Sequence, residues 1–494
     1  MKFRCRNKWI GIGFGAVVFL FFLVFFTKLH PIVISTTDDY FGFTNHRQAV
    51  PQWGGSEPTR VVGAVFMPLI SQFMSFFFRI FGGNLFDYLT FGWGFCVAAA
   101  ITGLVEVMYH LLVKAGVSSL PACAGLTLFL LMHFWIFKQR QQDGNMYMLQ
   151  SVYACTYFIY VIPNLLNAIL LMWFHTDQDV QELLKPGKYL KKGLFVFLAY
   201  FCINSNIWAG AVSAAFLGTQ LITGIVSGIR RKVTFRVWFK KNYTLLLLLG
   251  VWFVSQFFEM SGARAGNIHQ SLFDGISVVW NTAMGMFRQV NMRYLLFTGA
   301  VVLGGLISLC FRKDKQSLAM IGKAFMAMVL FTAYFWLSCS VIYNSGYYVS
   351  RPDAFYGAFF FGAIIVLVCF FELLRRFPFV KLVLPVVLII ILVECNSMGR
   401  TYQDSIAVAR NDSVETHNRI NQDILSQLKQ AEEAGLKETK IYIPDYENAD
   451  NWPYSVYAQE QIAKGYYKWG AINREILVTE LVPTSEKNRE FGID

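Results

Sequence analysis

Two adjacent carboxylates, Asp38 and Asp39, follow the first long apolar run of this 494-residue chain. Charged groups are costly near a bilayer, so an acidic pair at its edge is a candidate functional site. A carboxylate of ordinary pKa is ionised at pH 7 and can accept the proton of an attacking hydroxyl. We therefore expect one of the two to be a general base. The alternative is that both are solvated loop acids that mark the end of a helix.

The two side chains are expected to play different roles. Neighbouring residues of an extended segment point in opposite directions, so one carboxylate should face a cavity. Its neighbour should then form hydrogen bonds with the backbone or with an arginine. The sequence leaves open which of the two acids is the base.

The composition excludes an ordinary soluble protein. The chain is 55% hydrophobic, with repeated apolar runs long enough for a hydrocarbon core of about 30 Å. The first run, 9–26, follows four basic residues and lacks a small-residue cleavage site, so we interpret it as a retained anchor. The cysteines show no CxxC spacing and the histidines no HExxH motif, which argues against a zinc site.

The charge is distributed unevenly along the chain. Residues 398–494 hold 11 Lys/Arg against 16 Asp/Glu, and the whole chain carries +12, so residues 1–397 carry +17. Basic residues concentrate in short links, which the positive-inside rule places in the cytoplasm and which do not indicate nucleic-acid binding. These links contain Lys185–Lys192, Arg230–Lys241, Arg312–Lys315 and Arg375–Lys381.

With those links inside, the chain is predicted to be an all-α polytopic protein of the bacterial cytoplasmic membrane, with its N-terminus inside and its C-terminus outside. Eleven spans are predicted, with juxtamembrane helices on the outer side. The spans are 9–27, 85–112, 119–137, 157–173, 190–206, 209–228, 243–258, 294–311, 318–341, 355–374 and 380–396.

The apolar stretch 61–80 does not fit this alternation as a further span. We expect it to be an amphipathic or re-entrant segment at the outer face, with Ser71, Gln72, Ser75 and Arg79 as its polar positions. The alternative is that Lys138 and Arg140 lie inside and a later segment is assigned wrongly. The cleaner charge pattern after residue 174 favours the first interpretation.

Two regions are expected: a transmembrane domain, 1–397, and a small extracytoplasmic α+β tail, 398–494. The tail shows a helical period over 404–433 and a short strand near 440–444. It is too small for a catalytic domain with a large core. We expect its aromatic residues to pack over the outer links.

The outer links hold further candidate substrate-binding residues. Guanidinium groups present paired donors to phosphate oxygens, so Arg351 and then Arg60 are the candidates for a phosphate leaving group. Pro352 favours an extended backbone at Arg351, although a surface pair with Asp353 is the alternative. The candidate set is completed by Glu57, Asp143, Arg264, His269, Tyr347 and Tyr348.

The chain resembles the GT-C class of polytopic membrane glycosyltransferases over most of its length. The resemblance rests on Asp38-Asp39-Tyr40 after the first span, the long first outer loop with Trp53-Gly-Gly-Ser-Glu57-Pro-Thr-Arg60, the apolar segment along the membrane, and Asp143 in a second outer loop. It implies a polyprenyl-phosphate sugar donor, a first-loop acid as base and inversion of the anomeric centre. The small tail departs from members with a larger soluble domain and leaves acceptor recognition open.

The residues favour the same donor. The cytoplasmic links are too short for a nucleotide-sugar-binding α/β domain, so a lipid-linked sugar is the expected donor. The expected acceptor is a cell-envelope glycan or a lipid-linked glycan, and a polyprenyl-phosphate glycosyltransferase and a flippase would act upstream. We expect no cofactor and no metal, because arginines can neutralise the phosphate. The alternatives are a transporter or lipid flippase and a non-catalytic accessory subunit.

Overall fold

The computed structural model describes residues 2–44, 47–55, 58–137, 148–149, 154–174, 187, 189–262, 271–341, 345–397, 414–445 and 459–493. Within these ranges, nine helices are long and apolar enough to cross a membrane. The chain is therefore an all-α polytopic membrane protein, as the hydropathy pattern predicts.

The elements follow in chain order. The first six helices are α1 (Lys2–Val24, continued by a π-helical turn, Phe25–Leu29), α2 (Thr37–Thr44), α3 (Val61–Phe81), α4 (Leu85–Lys114), α5 (Ser119–Trp135) and α6 (Ala154–Trp173). The next nine are α7 (Tyr189–Ile203), α8 (Ile207–Arg230), α9 (Phe235–Met260), α10 (Leu272–Gln289), α11 (Met292–Arg312), α12 (Lys315–Val341), α13 (Ser345–Val349), α14 (Tyr356–Arg376) and α15 (Val380–Ser397). The tail contains α16 (Val414–Glu433), β1 (Glu438–Pro444), α17 (Gln459–Lys468), β2 (Leu477–Thr484) and α18 (Ser485–Phe491).

Eight of the eleven predicted spans coincide with long apolar helices, and the ninth such helix is α3. The other three predicted spans correspond to shorter helices: α5 has 17 residues, α7 has 15 and α15 has 18. Sequence hydropathy therefore located the helices well, while the number that cross a membrane depends on how α3 is placed.

Two hydrogen bonds from side chains of α4 identify the two ends of the helix bundle. At one end, Thr90 Oγ1 near the start of α4 donates to the carbonyl of Ile32, just after α1, at 2.8 Å. At the other end, Tyr109 Oη near the end of α4 donates to the carbonyl of Asn7 at 2.7 Å. We name the first the site end. The second is the basic end, because the helix ends and links there carry Lys114, Arg231, Lys313 and Arg376.

Both termini of α3 contact the site end. Its first residue, Val61, donates its N–H to the carbonyl of Asn204, between α7 and α8, at 2.9 Å. Near its last turn, the Phe78 ring packs against Tyr88 in the first turn of α4, with ring centroids 6.3 Å apart. Between them, Trp93 Nε1 donates to Ser71 Oγ at 3.1 Å. Helix α3 and the first three turns of α4 thus form a hairpin at this end.

The tail docks on the site end through α2. Tyr40 and Tyr466 share a hydrogen bond of 2.7 Å between their hydroxyls, and Asn421 Nδ2 donates to the carbonyl of Ile34 at 2.9 Å. Its two strands pair in parallel. Helices α16 and α17 of the tail pack against these strands, and the hydrogen bonds with Tyr40 and Ile34 join this unit to the membrane domain.

Close helix packing at α11 and α14 depends on a glycine. A Cβ atom on Gly305 would lie 2.4 Å from Cβ and 2.7 Å from Cα of Cys369. Small residues allow such close backbone approach in membrane bundles. Gly299 lies about two turns earlier on α11. A Cβ atom added there would have no described atom within 4 Å.

We predict that Gly305→Leu destabilises the protein by about 3 kcal/mol because overpacking must separate α11 from α14. Gly299→Leu adds the same side chain to the same helix and is the matched control. The measurement is the thermal unfolding midpoint of each purified variant in detergent. Equal midpoints for the two variants would contradict the close contact at Gly305.

Candidate active site

Asp39 closes the first turn of α2. Its Oδ2 accepts the backbone N–H groups of Ser35 and Thr36, at 2.8 and 3.2 Å. A side chain at the third helical position that reaches back to the residues before the helix satisfies N–H groups that otherwise lack partners. The acidic pair therefore lies on a helix, and the extended segment expected from the sequence is wrong.

The same carboxylate also holds the start of α6. Its Oδ1 accepts the N–H of Cys155 at 2.8 Å, so one buried side chain joins two helix N-termini. The partial positive charge of both helix ends favours a negative charge at this position. Asp39 thereby fixes α2 against α6, although the two residues are 116 positions apart.

Burial dominates the titration of Asp39. Removal from water raises the pKa of its carboxyl from 3.8 to about 6, and the backbone hydrogen bonds from Cys155 and Ser35 limit that rise. The neighbouring charge of Asp38 adds a smaller upward contribution to the same pKa. The group is thus close to half-ionised only slightly below neutral pH.

Asp38 has the opposite environment, because its side chain is exposed. Successive residues of a helix are rotated by about 100°, so Asp38 lies roughly opposite Tyr40, which faces the tail. The structure therefore separates the acids into a buried carboxylate bound by backbone N–H groups and an accessible one.

A second group of polar residues surrounds Tyr160 on α6. The Arg351 guanidinium lies over the Tyr160 ring, 4.3 Å from its centroid, and pairs with Asp353 at 2.7 and 3.1 Å. The pair is largely buried, with 13% and 5% of the two side chains exposed. The Arg351–Asp353 alternative considered from the sequence therefore exists, as a buried pair and not as a surface pair.

Two other candidates contribute to this group. Arg60 and Tyr348 both interact electrostatically with Tyr160. Tyr348 packs against Trp208, with ring centroids 4.8 Å apart, and Asn164 Nδ2 donates to the carbonyl of Asp353 at 2.6 Å. We name Arg60, Tyr160, Tyr348, Arg351 and Asp353 the arginine cluster.

Helix α6 connects the arginine cluster with the acidic pair. Cys155 and Tyr160 are five residues apart on it, which corresponds to roughly 7 Å along the helix axis. One helix therefore contacts the carboxylate of Asp39 through Cys155 and the guanidinium of Arg351 through Tyr160. This arrangement can accept a proton from one group and neutralise a phosphate on another.

Several predicted site residues lie outside the described residues: Glu57, Asp143, Arg264 and His269, together with the side chain of Tyr347. Sequence reasoning missed Cys155, Tyr160 and Asn164, whose roles depend on contacts across the fold. Asp353 differs from these three residues, because its position two residues after Arg351 already indicated an ion pair in the sequence. Within the described ranges, no three His, Cys, Asp or Glu side chains converge as metal ligands.

Comparison of the chain with models of protein families, with curated proteins and with solved structures finds no match.

We predict that ionisation of Asp39 lowers stability. Its folded-state pKa exceeds the unfolded value, so its stabilising contribution is complete below about pH 3.8 and is lost as pH rises through about 6. Over the whole titration the wild type should lose about 3 kcal/mol relative to Asp39→Asn, which cannot titrate, and about 2 kcal/mol of that loss should fall between pH 4 and 7. Unfolding of both proteins from pH 4 to 7 measures this, and a constant difference between them would contradict the raised pKa.

Proposed function

We propose that the chain is a GT-C-type membrane glycosyltransferase. It moves a sugar from a polyprenyl-phosphate donor to a hydroxyl of a cell-envelope glycan or lipid-linked acceptor, on the outer side of the bacterial cytoplasmic membrane and with inversion. The observation that carries this proposal is the division of the acidic pair: Asp39 anchors the helix start, while Asp38 is held at an accessible position beside it.

Asp38 is the general base in this proposal. Both oxygens of Asp39 accept backbone N–H groups, and the side chain is buried, so Asp39 is poorly placed to meet an acceptor hydroxyl. Asp38 is exposed on the same rigid turn. A base must come within hydrogen-bond reach of the proton that it removes, and Asp38 satisfies that requirement better.

The arginine cluster stabilises the departing phosphate. Arg351 lies over Tyr160 and Arg60 interacts electrostatically with the same tyrosine, and guanidinium groups remain charged at a desolvated membrane edge. Asp353 orients the Arg351 guanidinium through two N–H donors. Because these arginines supply the positive charge, the proposal requires no divalent ion.

We place α3 along the outer membrane surface and the site end outside. The contacts of both α3 termini with the site end support this placement. Eleven helices then cross: α1, α4 to α9, α11, α12, α14 and α15. The basic end faces the cytoplasm, as the distribution of Lys and Arg favours.

We predict that Asp38→Asn reduces sugar transfer by about 10²- to 10⁴-fold, since the variant keeps the shape of the side chain and removes the base. Transfer is measured with a radiolabelled polyprenyl-phosphate sugar in membranes. Asp274→Asn removes an exposed acid from the first turn of α10 and is the matched control.

Wild-type transfer by Asp38→Asn would overturn the assignment of the base. Asp39→Asn provides a second comparison. It replaces one of the two acceptor oxygens with an NH2 group that faces backbone N–H donors, so it should lower the amount of folded protein more than the rate of each folded molecule. A transporter or flippase would show no sugar transfer in any of these membranes.

We predict that cysteines replacing Gln52 and Asp87, which lie on either side of α3 and are exposed, both react with an impermeant thiol reagent added outside. The background lacks the native cysteines. A cysteine replacing Arg231, exposed at the basic end, should react only after permeabilisation. Labelling of Gln52→Cys without Asp87→Cys would show that α3 crosses the membrane.

A further inference from the structure

A polar cavity of about 900 Å³ lies where the end of α3 meets the tail. Its lining includes Arg79 from α3 and, from the tail, Lys429, Glu433, Tyr467, Lys468 and Asn473. It is separate from the acidic pair, because Asp38 and the tail lie on roughly opposite sides of α2.

The cavity has two uncommitted cations. Arg79 and Lys429 are exposed, and within the described part of the chain neither has a hydrogen-bond or ion-pair partner. Lys468 donates to the carbonyl of Thr44 at 2.7 Å. Two acids, Glu432 and Glu433, also line the cavity. Glu432 accepts the backbone N–H groups of Asn473 and Arg474, and the negative charge of Glu433 opposes binding of an anion.

The walls of the cavity are held in place. Tyr466 and Trp469 are buried, and Tyr466 is tied to Tyr40 on α2. Gly470 has a φ of +69°, and a Cβ atom there would lie 2.6 Å from Arg79 Cδ. Arg79 therefore passes directly over the glycine, in a gap that any other residue would narrow.

An apolar surface adjoins these cations. Ile80 and Phe81 directly follow Arg79 and are 56% and 71% exposed, and Phe73 and Phe76 continue the exposed apolar face of α3. An anionic group in the cavity would thus stand beside a surface suited to hydrocarbon chains. That combination matches one ligand chemistry, a lipid with a phosphate head group.

We propose that this cavity binds the phosphate head group of a membrane lipid, with the lipid chains along the exposed apolar face of α3. The proposal does not rest on the proposed transfer reaction, because Arg79 and Lys429 belong to neither the acidic pair nor the arginine cluster. Arg79 and Lys429 contact the phosphate oxygens, and Glu433 weakens the attraction. A bilayer phospholipid and a polyprenyl phosphate share this chemistry.

Native mass spectrometry of the delipidated full-length protein tests the proposal. The probes are dioleoyl phosphatidylglycerol, a polyprenyl phosphate and neutral dioleoylglycerol. At least one phosphate lipid should bind about tenfold more tightly than dioleoylglycerol, as expected for a charge-assisted contact. Preference for phosphatidylglycerol identifies a bilayer lipid, and preference for the polyprenyl phosphate identifies a pathway lipid.

Two variants decide whether this cavity is the site. Arg79→Ala/Lys429→Ala should remove the tenfold preference, whereas Arg288→Ala/Lys437→Ala, which removes the same exposed charges elsewhere, should keep it. Glu433→Gln should tighten phosphate binding several-fold without loss of a structural contact, so it remains informative if the double variant folds poorly.

Equal binding of dioleoylglycerol, or no response to Glu433→Gln and to the double variant, would overturn the proposal. Asp38→Asn should not alter this binding, which separates the outcome from that of the transfer experiment.

Discussion

The arrangement of the site end depends on one buried carboxylate. Burying Asp39 disfavours its charge, and three backbone N–H groups from two helix starts offset much of that cost. Because each hydrogen bond comes from the main chain, the carboxylate fixes the backbone of α2 and α6 together. The exposure of Asp38 and the direction of Tyr40 toward the tail both follow from this constraint.

The arginine cluster also offsets the cost of burying a charge, in this case the positive charge of Arg351. A guanidinium taken out of water needs a partner, and Arg351 has Asp353 together with the face of Tyr160. Removing one member would leave the other buried and uncompensated. Buried ion pairs are weak evidence for stability, but they orient their members well. The value of this pair is therefore the fixed direction of the guanidinium.

Hydropathy and charge predicted most of the helices because a bilayer imposes length and composition locally along the chain. The roles of Asp38 and Asp39 could not be separated in the same way. The difference between the two acids depends on a hydrogen bond from Cys155, which lies far along the chain. It also depends on a helix start at Thr37, where the sequence predicted an extended segment. Likewise, the Arg351–Asp353 pair was visible from its spacing, but its burial required Tyr160 from another helix.

The tail shows how strongly the two regions depend on each other. Buried residues of its own helices and strands, among them Ile424, Ile441 and Ile462, form a core, and Tyr466 is buried where this core meets the membrane domain. Tyr466 shares its hydroxyl hydrogen bond with Tyr40, one residue after Asp39, and its ring packs against Phe86 at the start of α4. The tail therefore uses α2 and α4 as part of its own core. A substitution that removes the hydrogen bonds of Asp39 would therefore shift Tyr40 and weaken its contact with the tail. A ligand that stabilises the tail would in turn stabilise the position of α2.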